Sequence, residues 1–195
     1  MPEHEPQEAV EPQQAVEPQQ AVEVDPVLRA AVREIESHAA EAGWDQPARL
    51  YALVPTSDIV AREPQLAAAM GLDPATAAGS LTPVEQDQMP PGQELEQALQ
   101  GIMWPPEVFG CAAVVERLVL PSGSDVAVPE DPQQAQEYVA SHPDRQEVRI
   151  VAAAPRDTAT YCALRLKSHD DDNSVVESPD LVPALLELLL GTLEN

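Results

Sequence analysis

Apolar positions fall into two periods along this chain. Val27, Leu28, Ala31, Val32, Ile35 and Ala39 recur at steps of three and four, the spacing of a helix with one buried stripe. Asp25-Pro26 supplies an N-cap and a proline at the first helical position, and Gly43 a C-terminal stop. The run Arg49–Val54 reads as a short buried strand. A helix then begins at Thr56 or Ser57, is interrupted at Pro64, and ends near Met70-Gly71. From Leu72 to Gln93 the chain is rich in Pro, Gly, Asp and Thr and reads as loop with one helical turn. A short helix over Glu94–Gln100 and a rigid connector, Trp104–Gly110, follow.

The second half changes period. Cys111–Leu120 is the strongest strand signal, and Asp131-Pro132 opens a helix that must stop before Pro143. Arg145–Ala154 and Ala159–Lys167 are two further strands, and the short polar link between them predicts an antiparallel hairpin. A last amphipathic helix starts near Ser178 or Asp180 and runs to about Leu190. The order predicts an α+β fold, a mostly antiparallel sheet with helices packed on one face. Residues 25–195 form one domain in this reading.

The hairpin fixes a register. A turn centred on Arg156–Thr158 sets Val148 opposite Leu166, Ile150 opposite Leu164 and Ala152 opposite Cys162, an apolar face. The other face opposes Glu147 with Lys167, Arg149 with Arg165 and Val151 with Ala163. A slip of one residue would mix charged with apolar positions, so the pattern is specific. Arg149 opposite Arg165 is a like-charge pair that needs an anion or a carboxylate between its members. Glu116 on the preceding strand is an internal candidate, and a bound carboxylate or phosphate is the external one. Carried one step further, the same register sets Arg145 against His169. It then gathers His142, Asp144, Arg145, His169, Asp170, Asp171 and Asp172 at one end of the sheet, beside Arg149, Arg165 and Lys167.

Three readings of that end compete. His and Asp oxygens could hold Zn²⁺, Mn²⁺ or Mg²⁺, but no established metal-ligand spacing occurs, and the stretch Asp170–Leu181 lacks the glycine of an EF-hand loop. A His–Asp pair could act as an oriented base, with Ser141, Ser168 or Ser174 as nucleophile, but none of these stands in a nucleophile elbow. The third reading is structural: Arg145 and Arg165 tie down the Asp170–Asp172 loop, which sets the approach of the last helix.

Composition narrows the partners. The 195 residues carry 34 acids against 10 bases, a formal net charge of −24. Such a surface repels nucleic acid and anionic lipid, so neither is an expected partner. Aromatic residues make up 3%, which leaves Leu, Val, Ala and Ile to build the core. No apolar run reaches the roughly 18 residues that span a membrane, and the start is not that of a signal peptide, so the expected location is the cytoplasm. Cys111 and Cys162, in apolar strand-like segments, are expected to be reduced core residues. The glycines are scattered, which argues against a phosphate loop, and no cofactor is expected. Residues 1–24 hold the repeats EPQEAV, EPQQAV and EPQQAV and no Lys or Arg, and are expected to be a disordered acidic tail.

Several stretches carry a resemblance: GWDQPARLYALVPT, LTPVEQD, CAAVVERLVLP, YVASHPDRQEVRIV and CALRLKSHDDDNSV followed by PDLVP. Together they resemble an uncharacterised family of small cytoplasmic actinobacterial proteins, over residues 26–190. The resemblance implies a bacterial cytoplasmic setting and no established activity, so it carries no functional residue over. The expected function is non-catalytic, a protein-binding or adaptor domain whose partner is a protein or a small anion. The alternative is a metal-assisted or acid–base hydrolase that uses His142, His169 and the nearby aspartates. Oligomeric state is not legible in the sequence.

Overall fold

The computed structural model describes residues 24–87, 94–121, 129 and 131–194. The acidic repeats lie outside the described residues, as do residues 88–93 of the predicted loop and residues 122–128. Helix α1 spans Pro26–Glu41, capped by Asp25, whose Oδ1 accepts a 2.8 Å hydrogen bond from the Val27 amide. Its buried stripe is Leu28, Ala31, Val32, Ile35 and Ala39, as the spacing predicts, with Glu36 added to it. Gly43 follows with φ of 81°, a left-handed conformation that favours glycine. Strand β1 is Arg49–Pro55, α2 is Thr56–Arg62 and α3 is Pro64–Ala69. Strand β2 is Leu81–Glu85, α4 is Leu95–Leu99, β3 is Gly110–Val119 and α5 is Pro132–Ser141. Strands β4, Gln146–Pro155, and β5, Tyr161–Leu166, form the predicted hairpin, and β6, Val176–Ser178, precedes α6, Pro183–Gly191.

The fold is α+β, with a six-stranded sheet ordered β2-β1-β3-β4-β5-β6 in which every neighbouring pair is antiparallel. The hairpin register is the one the sequence dictates: Arg149 opposes Arg165, Ile150 opposes Leu164 and Ala152 opposes Cys162.

The helices do not share one face. Helix α1 covers Tyr51, Leu53, Ala112, Val114, Val151, Ala153 and Ala163, whereas α4 and α6 cover Leu50, Ala52, Cys111, Ala113, Val115, Ile150, Ala152 and Cys162. The reason lies in the central strands. From Cys111 to Val115 and from Val148 to Pro155 every residue is buried, and an apolar run without alternation requires cover on both sides. The small side chains Ala112, Ala113 and Ala152–Ala154 keep both layers close to the sheet.

Two strands escaped the sequence pattern. Strand β2 lies within the stretch read as loop, and it is an edge strand, where Pro83 is tolerated because its missing N–H falls outside the β1 ladder. Strand β6 has three residues at the opposite edge and displaces the start of the last helix to Pro183. Short edges and an edge proline are also what keep a sheet from pairing with other chains. At the centre, Gly110 is required by close approach: a Cβ there would lie 2.5 Å from the Ala154 carbonyl oxygen. The Trp104–Gly110 connector is held by Arg156, which donates to the carbonyls of Val108, Trp104, Pro105 and Leu193. Arg156 thus sits at the far end of the hairpin from the other bases and takes no part in their face.

Candidate functional site

The polar face of the hairpin points toward α1 and its C-terminal loop. Arg165 is 2% exposed and Arg149 1%, so each guanidinium needs a carboxylate close by. Arg165 finds one on α1: its Nε donates to Glu36 Oε1 at 2.6 Å and its Nη2 to Glu36 Oε2 at 2.8 Å, a bidentate pair. The outer side of the same guanidinium reaches Asp172 at 2.9 Å and Asp170 at 3.4 Å. Glu36 comes first among the causes that raise the Arg165 pKa, so this group is charged at every working pH. Arg149 pairs across the sheet with Glu116, its opposite on β3, at 3.0 Å. It also donates to the Gly43 carbonyl oxygen, while its Nη1 is buried without a partner. The like-charge pair is therefore resolved by internal acids, Glu116 as the register suggests and Glu36 in addition.

Glu36 was legible in one respect. It falls four residues after Val32, inside the apolar stripe of α1, and an acid in a buried stripe calls for a cation. Which cation it meets depends on how α1 lies across the sheet, and no spacing in the sequence encodes that.

A lid of loop residues completes the cluster. The Trp44 ring lies over Arg149, 4.3 Å from the guanidinium carbon to the ring centroid, and its Nε1 donates to Asp170 Oδ2 at 2.8 Å. Asp45 takes a left-handed conformation, φ 65°, and its amide donates to Glu116 Oε2 at 2.8 Å. Lys167 bridges Glu147 at 2.8 Å and Asp45 at 3.6 Å, and its pKa is raised chiefly by the Glu147 hydrogen bond. Carboxylate oxygens of Asp45, Glu116 and Glu147 lie within 4.8 Å of one another, and Lys167 supplies the positive charge that a metal ion would bring there.

The two His-bearing segments are not paired as strands. The β4–β5 ladder ends at Val148 and Leu166, and the chain then enters a 3-10 turn at Lys167–His169, so Arg145 does not oppose His169. Arg145 donates to the His142 carbonyl oxygen, and His142 Nδ1 lies 4.0 Å from Asp144. His169 contacts the adjacent Ser168 at 3.0 Å, and Asp171 caps its own turn through Asn173 and Ser174. No hydrogen bond or ion pair joins the His142–Arg145 group to the Ser168–Asp172 group among the described residues. Of the residues singled out in the sequence, Arg149, Arg165, Lys167, Asp170 and Asp172 come together, while His142, Asp144, Arg145, His169 and Asp171 stay outside.

Farther along α1, Glu177 of β6 collects Arg33 at 2.6 Å, Arg29 at 2.8 Å and the Tyr161 hydroxyl at 2.9 Å. These donors, Arg33 first, hold its carboxyl down to about 2. Cys111 and Cys162 are buried free thiols, and burial pushes Cys111 up to about 11, which makes it a poor nucleophile.

On the opposite face an open apolar groove of about 380 Å³ runs between α6 and the end of the β3–β4 ladder. Val115, Val119, Ile150, Val182, Leu185 and Leu188 line it, and the Arg117–Glu96 ion pair, 2.7 Å, stands at its edge. This groove was not legible in the residues, because each of its apolar positions reads as ordinary core. None of the helices among the described residues is long and apolar enough to cross a membrane.

No curated protein and no solved structure matches the chain. A protein family described as PPA1309-like protein matches residues 28–194, from the first buried leucine of α1 to the end of the described chain. That span takes in every element described above except the first two residues of α1, and the chain belongs to this uncharacterised PPA1309-like family.

Proposed function

We propose that this protein is a non-catalytic binding module whose α6 groove receives an apolar segment, flanked by Lys and Arg, of a partner protein. The observation that carries the reading is the contrast between the groove and the charge cluster. The buried cations Arg149 and Arg165 are engaged by Glu116 and Glu36, whereas the groove leaves Leu185, Leu188, Val119 and Val182 partly open to solvent. A concave apolar surface of this kind suits an amphipathic helix or strand. Charge selects the flanks: Glu94, Asp180 and Glu187 are exposed on or beside α4 and α6, in a chain of net charge −24.

A hydrolase would need one of the histidines set beside a nucleophile and an orienting group. Ser168 and His169 are adjacent and exposed, and the contacts of His169 among the described residues include no carboxylate to orient the ring.

Titration with a synthetic helical peptide of alternating Leu and Lys stripes tests the reading. Binding in the micromolar range, weakened about tenfold or more by Leu185→Asp with Leu188→Asp, is expected, and the same peptide with Glu for Lys should not bind. Absence of binding, or binding that ignores the two substitutions, overturns the groove. Ester or phosphoester turnover that disappears with His169→Ala would replace it with the hydrolase.

A further inference from the structure

A second surface lies on α3. This helix buries one residue, Ala67, while Leu66 is 50% and Met70 43% exposed. Gln65, Ala68, Ala69 and Gly71 around them are exposed as well. A six-residue helix with a single buried side chain is marginal on its own, since short helices depend on packing rather than on propensity. The charge distribution is the second observation. In a chain with 34 acids, the stretch from Pro64 to Val84 contains one charged residue, Asp73. The segment after α3 is exposed too, at Pro74, Ala75, Thr76, Ala78 and Gly79. An apolar, charge-poor patch on a strongly acidic protein marks an interaction surface, since charged residues are depleted at interface centres.

We infer that this face is where two copies of the chain meet, α3 against α3, in a two-fold symmetric dimer. The choice of occupant follows from charge. A basic partner gains most from the acidic remainder of the surface and nothing from a neutral patch. A partner that is itself strongly acidic is repelled everywhere except here, and a second copy is such a partner, carrying the same neutral face. A two-fold axis places like patch on like, so the interface needs no other complementarity. Ala69, three residues after Leu66 and so beside it on the helix, allows the two helices to approach closely, with Leu66 and Met70 interdigitated at the centre. The dimer is independent of the α6 groove, and it would present two grooves to a repeated ligand.

Sedimentation of the full chain tests this. A dimer of twice the 21.0 kDa chain mass is expected. It should form at protein concentrations of about 100 µM or below. Association should strengthen from about 0.1 M to about 1 M salt, because screening weakens the repulsion between the acidic copies. Leu66→Glu with Met70→Glu should weaken it at least about tenfold, as should Ala69→Glu alone, while Leu118→Glu, an exposed apolar residue elsewhere, should leave it intact. All four positions are exposed, so folding, followed by circular dichroism, should be retained. A monomer throughout the concentration range, a dimer that dissolves in salt, or a dimer indifferent to both α3 variants overturns the inference.

Discussion

On the α6 side of the β4–β5 hairpin, Val148, Ile150, Leu164 and Leu166 meet an apolar layer that includes Leu186 and Leu189. On the α1 side, one residue along each strand, Arg149 and Arg165 are buried as deeply, and four acids from α1, β3 and the loop after β5 surround them. The two sides solve the same problem by different physics. The apolar side gains from burial and tolerates a gap, which appears as the open groove. On the charged side a buried guanidinium without its carboxylate would bear the whole desolvation cost, so Arg149 and Arg165 are closed in by acids. That side also has an opening, of about 330 Å³, but Arg33, Glu36, Asp172 and Glu177 in its lining are already engaged in ion pairs, whereas the lining of the groove is mostly apolar.

The largest effect is expected at Glu36. Glu36→Ala leaves Arg165 buried beside the exposed Asp170 and Asp172 alone, and should lower stability by about 3–5 kcal/mol in urea denaturation. Replacing both partners, Glu36→Leu with Arg165→Met, should recover most of the loss, since an apolar pair of similar volume needs no counter-charge. A small loss from Glu36→Ala would mean that the aspartates suffice. On the other face, Leu189→Ala should cost about 2–4 kcal/mol by transfer and cavity terms. No second substitution at a distance should rescue it, because packing is local.

The acid response sharpens the contrast further. Glu177 ionises at about 2 in the fold against its ordinary 4.5. A depressed carboxyl contributes its full stability above the unfolded value and loses it as pH falls from about 4.5 toward 2. Glu177→Gln should therefore flatten the loss of thermal stability over that window and leave the profile above it unchanged in shape. The smallest effect belongs to His169: His169→Ala should stay within about 0.5 kcal/mol of the parent, since it is exposed on a surface turn. A larger change at His169 would reopen the hairpin end as a site.

Much of this was legible in the residues, and the parts that were not share a cause. The α1 stripe, the Asp25 and Asp131 caps and the β4–β5 register follow from local spacing, which backbone geometry fixes at 3.6 and 2 residues. The Arg149–Glu116 pair was within reach because antiparallel neighbours inherit one another's register. Extending the ladder to Arg145 and His169 failed where the chain left the strand at Lys167, a change of direction that no pairing rule encodes.

By itself the sequence determined the α+β class, the hairpin, the burden of two opposed arginines and the acidic character of the surface. Tertiary structure alone decided that helices cover both faces, that Glu36 on α1 meets Arg165 more than a hundred residues away, and that Trp44 closes over Arg149. The physical reason is the range of the forces involved. Periodicity and capping act over a few residues and are written where they act. The partner of a buried charge and the place left open in an apolar layer depend on how whole elements lie across one another, and only the folded chain sets that.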